Sequence, residues 1–502
     1  MTFEFTATPN LSQKVSIIPI AANDQLEAEL KKIAEITGLS LESFQQDFKA
    51  DYCEILPLYT KGQKVFLLGL GRKDRTVDIV RAFRTLAHRQ KEKLPANVGI
   101  SFFHVPDTPA LPVWVEAAVN GCYLGGYQMG RYKSERKNKP ALWSENAGLT
   151  LQVAEDQKAA CRKAAEKGLQ MAKTQWDMMD LVNAPSNKKI PADLANWAMR
   201  SGDKNGFRVD IMDMGRIRNI GLHALLAVNQ GSANPPMFIV MEYKPEEESE
   251  SLPRIGLVGK GVTFDTGGLS IKPSTNLHYM KSDMGGAAAV FGTMEMAAKL
   301  KLPIHLIGVV PATDNSVDAK SVKPSDVIDS YSGKTIEIID TDAEGRLILA
   351  DGIAYILRHY QPEVLIDLAT LTGSTVRTLG YHAAAIFTNN DQLYQQLNTV
   401  AETTGEMVWR LPLWDAYNDD IKSDVADVRN FSGKPVAGAI GAAKFLEFFT
   451  ENHPAWAHLD IAGVAFGDSE FSMQKSATAY GIRLLIEYLT KISPAPADTE
   501  QA

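Results

Sequence analysis

Three short segments gather the side chains of this chain that could do chemistry. Ile255-Gly-Leu-Val-Gly-Lys260-Gly-Val-Thr-Phe-Asp265-Thr-Gly-Gly-Leu-Ser-Ile-Lys272 begins as an apolar run and ends in a glycine-rich loop bearing two lysines and an aspartate. Met280-Lys-Ser-Asp283-Met-Gly-Gly-Ala-Ala-Ala puts an acid just before an apolar stretch of small residues. Ile338-Ile-Asp340-Thr-Asp342-Ala-Glu344-Gly-Arg346-Leu-Ile-Leu-Ala-Asp351 sets further acids and an arginine between a β-like and a helical run. Three loops at strand ends thus offer several carboxylates, lysines and an arginine that could serve a common site. Taken singly, each has a plainer account. Asp265 and Asp283 would serve as solvated acids or helix caps, and Asp342 as the cap of the next helix, with Glu344 in its first turn and Arg346 as an ion-pair partner. Gly267-Gly268 and Gly285-Gly286 would be turns. Three such loops in corresponding places weigh against that account, because a parallel sheet brings its strand ends together and open α/β sheets bind ligands there.

The elements that must position these loops follow an α/β rhythm. In the first third, β-like runs at Val65 to Leu70 and Val98 to Val105 alternate with helical ones near Asp78 to Lys91 and from Pro112 onward. Ala154 to Met179 is rich in Ala, Lys and Glu and reads as a long, mostly exposed helix. Beyond the breakers of Asn183-Ala-Pro-Ser-Asn-Lys-Lys-Ile-Pro191, strands are predicted at Arg208 to Met212, Met237 to Glu242, Ile255 to Val258, Ile304 to Val310, Ile336 to Asp340, Val364 to Ala369 and Ala457 to Ile461. Helices are predicted at Met284 to Leu300, Leu347 to Arg358, Gly438 to Thr450 and Ala479 to Lys491. The expected organisation is an α/β protein of two domains: a smaller N-terminal α/β domain at 1–165, a linking helical region at 166–185, a larger catalytic α/β domain with a mixed sheet flanked by helices at 186–492, and a fraying tail at 493–502.

Composition narrows the class. The chain has 502 residues, 45% hydrophobic and 22% charged, which suits a globular protein with a substantial core and excludes disordered or collagen-like chains. Fifty-two basic against 60 acidic residues leave a net charge of −8, so nothing in the total marks a polyanion-binding surface. Cys53, Cys122 and Cys161 lie far apart without a CxxC pair, as in a reducing compartment. The start, MTFEFTATPN, lacks the basic and apolar regions of a secretory leader, and charges such as Glu295 and Lys444 interrupt the apolar stretches before a membrane-spanning length. A cytoplasmic protein without membrane association is expected.

The motifs GKGVTFDTGGLSIKP at 259–273, MKSDMGGAAAV at 280–290 and TDAEGRL at 341–347 resemble those of the leucyl (cytosol) aminopeptidases, two-metal exopeptidases. LVNAPSN at 181–187, ATLTG at 369–373 and AWAHLDIAG at 455–463 extend the likeness over most of the chain after about residue 175. The resemblance implies a homohexamer with inward-facing active sites, peptide substrates with a free N-terminus, two divalent ions (Zn or Mn, with Mg or Co as alternatives) and a bicarbonate ion. It assigns Lys260, Asp265, Asp283 and Glu344 to one metal and Asp265, Asp342 and Glu344 to the other. On the same basis Lys272 binds the carbonyl oxygen under attack by a bridging water or hydroxide, and Arg346 holds the bicarbonate that shuttles the proton. Met280, Thr370, Gly373 and Ala477 match positions around an apolar pocket for the N-terminal side chain. Four carboxylates would balance two dications, and the lysine ligand must bind as a neutral amine.

Two departures stand out: Asp340 occupies a position where the family has Asn, and Ala479 one where Gly is usual. Rival readings are a two-metal phosphoesterase and a DNA-binding accessory hexamer. The first would use the same clustered acids, lysines and glycine-rich loop, although Gly259-Lys260-Gly261 lacks the spacing of a phosphate loop. The acidic balance opposes the second, so nucleic acid is not an expected partner. None of the nine histidines falls in an HExxH pattern, and His278 is expected at a pocket wall or on the surface.

Overall fold

The computed structural model describes residues 1–7, 13–60, 62–107, 109–135, 139–245, 252–468 and 470–494, so the expected tail lies outside the described residues from 495 on. The chain divides into two compact units. The first comprises Met1–Trp176 with Thr403–Gly405 and Glu470–Met473; the second comprises Asp177–Glu402, Glu406–Ser469 and Gln474–Ala502.

In the first unit the strand Val15–Ile20 is apolar at every position but Ser16 and buried at all six. Such a run suits a strand covered on both faces. It lies inside a six-stranded sheet in the order Thr2–Thr6, Gly148–Gln152, Asn97–Ser101, Val15–Ile20, Gln63–Gly69, Ile55–Thr60. All neighbours are parallel except the last pair, which is antiparallel. Helix Leu26–Thr37 packs Leu30 and Ile33 against Ile18, Val65 and Leu67. The long helix is real, Lys158–Asn183, but it is not mostly exposed. Its apolar positions recur at helical spacing, and Cys161, Ala165, Leu169, Met171 and Ala172 are buried. Gly168 is required there, since a Cβ would lie 2.3 Å from the Glu116 carbonyl oxygen.

The second unit holds a nine-stranded mixed sheet. Its order is Val408–Arg410, Ala384–Thr388, Trp456–Asp460, Val364–Ala369, Arg254–Gly259, His305–Asn315, Met237–Tyr243, Arg208–Met212, with Gly261–Asp265 also pairing His305–Asn315. The four central strands, Trp456–Asp460 to His305–Asn315, run parallel, so their carboxyl ends open on one edge. Antiparallel strands flank them. Helix Gly345–Tyr360 shares a core with Val258, Ile307 and Val309. Gly308, between the last two, faces Val290 and Met294 of helix Gly285–Lys299, so the two helices cover opposite faces.

One predicted strand is corrected. Of Ile336 to Asp340 only Ile336 and Glu337 are extended, in the strand Thr335–Glu337 of a separate small sheet with Val327–Asp329 and Val428–Arg429. Ile338 still bonds the segment leading into Val327–Asp329, its N–H donating to Asp326 O at 2.9 Å, and the run leaves the sheet at Ile339, whose N–H donates to Asn430 Oδ1 at 2.8 Å. Among the described residues, no helix is long and apolar enough to cross a membrane.

Candidate functional site

Lys260 follows the central strand Arg254–Gly259 and is fixed through its backbone. Its N–H donates to Leu368 O at 3.0 Å and its carbonyl accepts from Ala287 N at 2.9 Å, which pins it between the strand Val364–Ala369 and the start of helix Gly285–Lys299. Two glycines make room. A Cβ on Gly286 would sit 2.0 Å from Leu368 O, and one on Gly345 would sit 2.5 Å from Lys260 Cε. The Lys260 Nζ lies 2.8 Å from both Asp283 Oδ2 and Glu344 Oε1 and donates to Thr370 O at 3.2 Å.

Asp265 ends the strand Gly261–Asp265, and its two oxygens have separate surroundings. Oδ1 accepts from Gly267 N and Asn315 Nδ2, each at 2.8 Å, while Oδ2 lies 2.8 Å from Lys272 Nζ. The loop returns toward the sheet because Gly267 and Gly268 adopt φ of 87° and 64°, which only glycine takes without strain. It is tied down where Lys272 N donates to Thr266 O, Ser270 N to Thr341 Oγ1, and Thr341 Oγ1 to Gly267 O. Lys272 also pairs with Asp342. Asp283 closes the 3-10 turn Leu277–Ser282, and its Oδ1 accepts from Thr370 Oγ1 at 2.8 Å. At the start of helix Gly345–Tyr360 the N-cap position belongs to Glu344, whose side chain makes no capping bond. The capping account of Asp342 therefore fails, and Glu344 is left free to face the site.

Ligand oxygens of Asp265, Asp342 and Glu344 lie within 4.8 Å of one another. Lys260 joins Asp283 to this group and Lys272 spans its other side, so the four carboxylates and two lysines share one place, Lys272 and Asp342 half-buried and the other four buried. Burial and neighbouring acids push the Asp283, Asp342 and Glu344 carboxyls above their usual range, against the pull of the two lysines. Burial by itself would lower both lysines, but the surrounding carboxylates outweigh it and raise them. Asp283 Oδ2, Asp342 Oδ1 and Glu344 Oε1 are buried without a hydrogen bond of proper geometry, although lysine nitrogens stand near them. Four carboxylates against two ammoniums leave the site short of two positive charges. Oxygen donors with one amine and this deficit fit divalent cations, whose arrival would reverse the field at Lys260 and favour its neutral form.

Arg346 is buried and donates to Asn430 O at 2.8 Å, while its Nε has no hydrogen bond. Burial lowers its pKa to about 10, against the acids around it, Glu344 foremost. Asp340, the departure from the family pattern, accepts from Asp342 N at 2.8 Å through Oδ1 and so shapes its own turn.

The pocket candidates are less uniform. Met280 is partly buried in the turn before Asp283, and Thr370 bonds Asp283 directly. Gly373 is exposed at the first turn of helix Gly373–Leu379. Ala477 is buried opposite Phe466, whose ring meets Tyr279 at 5.5 Å. His278 is exposed.

Sequence reasoning missed the residues that hold the acids in place. Asn430 is fully buried; its Oδ1 accepts from Ile339 N and its Nδ2 donates to Asp340 O at 2.6 Å. Asn315 orients Asp265, and Asp460 accepts from Leu371 N, Thr372 Oγ1 and Thr375 Oγ1 to shape the loop after Thr370. Asp460 falls in AWAHLDIAG and was within reach of a motif search; Asn430 and Asn315 carried no spacing signal.

The catalytic-domain model of the cytosol aminopeptidase family matches residues 178–486. A probable cytosol aminopeptidase of Chloroherpeton thalassium is 42% identical over 96% of this chain and 99% of its own length. One from Chlorobium luteolum is 41% identical over 97% and 99%. Among solved structures, the bottromycin maturation enzyme BotP in complex with Mn superposes with a TM-score of 0.83 at 29% identity, covering 96% of this chain and all of that one.

Proposed function

The chain belongs to the cytosol aminopeptidase family, metal-dependent peptide hydrolases, and from there we propose that it releases leucine and other apolar residues from the free amino end of peptides. The observation that carries this reading is the convergence of Asp265, Asp342 and Glu344, the first and last buried and Asp342 half-buried, whose carboxylate oxygens are met only by lysine ammoniums on the side facing the site. In the proposed scheme Lys260, Asp265, Asp283 and Glu344 hold one divalent ion and Asp265, Asp342 and Glu344 the other, with Asp265 and Glu344 shared. Zn or Mn is the proposed metal, and the Mn in the complex of BotP supports the second. Bound there, the ions would polarise the scissile carbonyl, make a bridging water acidic enough to attack, and receive the substrate's α-amine.

The chain's own groups do the rest. Lys272, braced by Asp265 and Asp342, offers a fixed ammonium to the carbonyl oxygen as negative charge develops. Thr370 Oγ1 occupies Asp283 Oδ1 and leaves Oδ2 for the site. Arg346, with its unbonded Nε, would hold bicarbonate, which supplies a general base. Met280, Thr370, Gly373 and Ala477 would line the pocket for the N-terminal side chain. Apolar pockets separate substrates differing by one methylene by only about 1–3 kcal/mol, so a broad preference is expected. A cytoplasmic homohexamer is part of the same proposal.

The test uses chelated protein and leucine p-nitroanilide. No cleavage is expected without metal, with recovery on adding Mn or Zn. N-acetylation of the substrate should abolish turnover, and rapid cleavage of the blocked compound would refute a role for the free amine.

A further inference from the structure

One buried amine near the site has no part in the scheme above. Lys189 lies between helices Lys158–Asn183 and Pro191–Asn205, is 1% exposed, and donates to two main-chain carbonyls, Val182 O at 3.4 Å and Lys281 O at closer range. Burial, then the charge of Lys281, pushes its pKa down to about 7 against the attraction of Asp283 and Asp314. An apolar side chain would fill the same space without that desolvation cost. What Lys189 adds is a donor, and the acceptor it reaches is informative. Lys281 O belongs to the turn Leu277–Ser282, which Asp283 terminates by donating its N–H to Met280 O at 3.3 Å. Holding that carbonyl fixes the rotation of the turn, and with it the direction in which Asp283 Oδ2 points. Asn183, at the other end of the same short segment, accepts from Ala477 N at 3.0 Å, so the segment grips both the turn and the pocket wall.

We infer that Lys189 is a positioning residue for Asp283, tying the turn Leu277–Ser282 to the chain entering helix Pro191–Asn205 and so setting the carboxylate that serves only one of the two proposed ions. The inference rests on the two-ion reading, and ion binding tests both separately. Metal-free wild type, Lys189→Met, Asp283→Asn and the double variant are titrated with Mn by calorimetry, with ion content from elemental analysis and folding checked by thermal unfolding. Wild type should hold two ions per chain. Lys189→Met should weaken one of them by about 10–100-fold, the usual loss when the support of a ligand is removed, and leave the other unchanged. The double variant should bind no more weakly than Asp283→Asn alone. Lys189→Met that binds both ions as wild type does, or weakens both equally, overturns the positioning role while the two-ion reading stands. A wild type that never takes up a second ion overturns both. Should Lys189→Met not fold, Lys189→Gln, whose donor has shorter reach, is titrated in its place with the same expectation.

Discussion

A carboxylate becomes a candidate ligand when the fold satisfies one oxygen and leaves the other exposed to the site. Asp265 and Asp283 both show this division, with Oδ1 held by Gly267 N and Asn315 in the first case and by Thr370 in the second. Glu344→Gln removes charge from the centre of the group and should lower kcat for leucine p-nitroanilide by about two orders of magnitude or more, with KM far less affected; equal activity would exclude its role. Asn430→Ala leaves the charges intact but frees the loop from Ile339 to Ala343, so a loss of about 10–100-fold in metal affinity or kcat is expected in a protein that still folds. Lys189 supplies a test by pH. A lysine in an unfolded chain titrates near about 10.4, whereas in the fold burial, then the charge of Lys281, pushes Lys189 down to about 7 against the attraction of Asp283 and Asp314. Between those values the unfolded chain binds the extra proton, so stability should rise with pH from about 7 to 10, by at most about 1.4 kcal/mol per unit. Denaturant unfolding of wild type against Lys189→Met across that window should show wild type gaining; a constant difference would contradict it. The acids and lysines were legible because each sits in a compact motif. Asn430 and Asn315 were not, because their bonds span 91 and 50 residues and follow no local spacing.

At the scale of elements, close approach between a helix and the sheet decides where the site residues stand. Gly285-Gly286 is not a turn but the start of a helix laid directly on the strand Val364–Ala369. Gly286→Ala would drive a methyl group into Leu368 O and against Lys260 N, displacing the backbone bond that positions Lys260. Overpacking of this kind costs about 1–3 kcal/mol, and chemical unfolding should show that loss together with reduced activity. Gly267-Gly268, by contrast, is a turn, as its positive φ angles require. The four central strands of the larger sheet and the two helices that carry Asp283 and Glu344 at their starts were legible from periodicity, whereas strands such as Val15–Ile20, Gly148–Gln152 and Ala384–Thr388 were not named. Two departures have physical causes: the apolar face of Lys158–Asn183 was hidden by its four lysines, and the run Ile336 to Asp340 looked extended but left its ladder to bond Asn430.

For the whole molecule, a net charge of −8 and the proposed assembly make two measurements informative. Sedimentation is expected to show a hexamer, and a monomer at working concentration would remove that part of the proposal. Duplex DNA should not shift the protein at low salt; a complex that weakens steeply as salt rises would support a nucleic-acid role instead. The sequence by itself determined the α/β class, the donor types and the three segments that carry them, because strand-loop-helix patterning and motif spacing are local properties. Only the tertiary structure decided that Lys260 and Lys272 stand among the carboxylates, which oxygens remain unbonded, and that Asn430, Asn315 and Lys189 support the loops. Those relations depend on sheet order and on backbones approaching within a methyl group's width, and both arise from segments far apart in the chain.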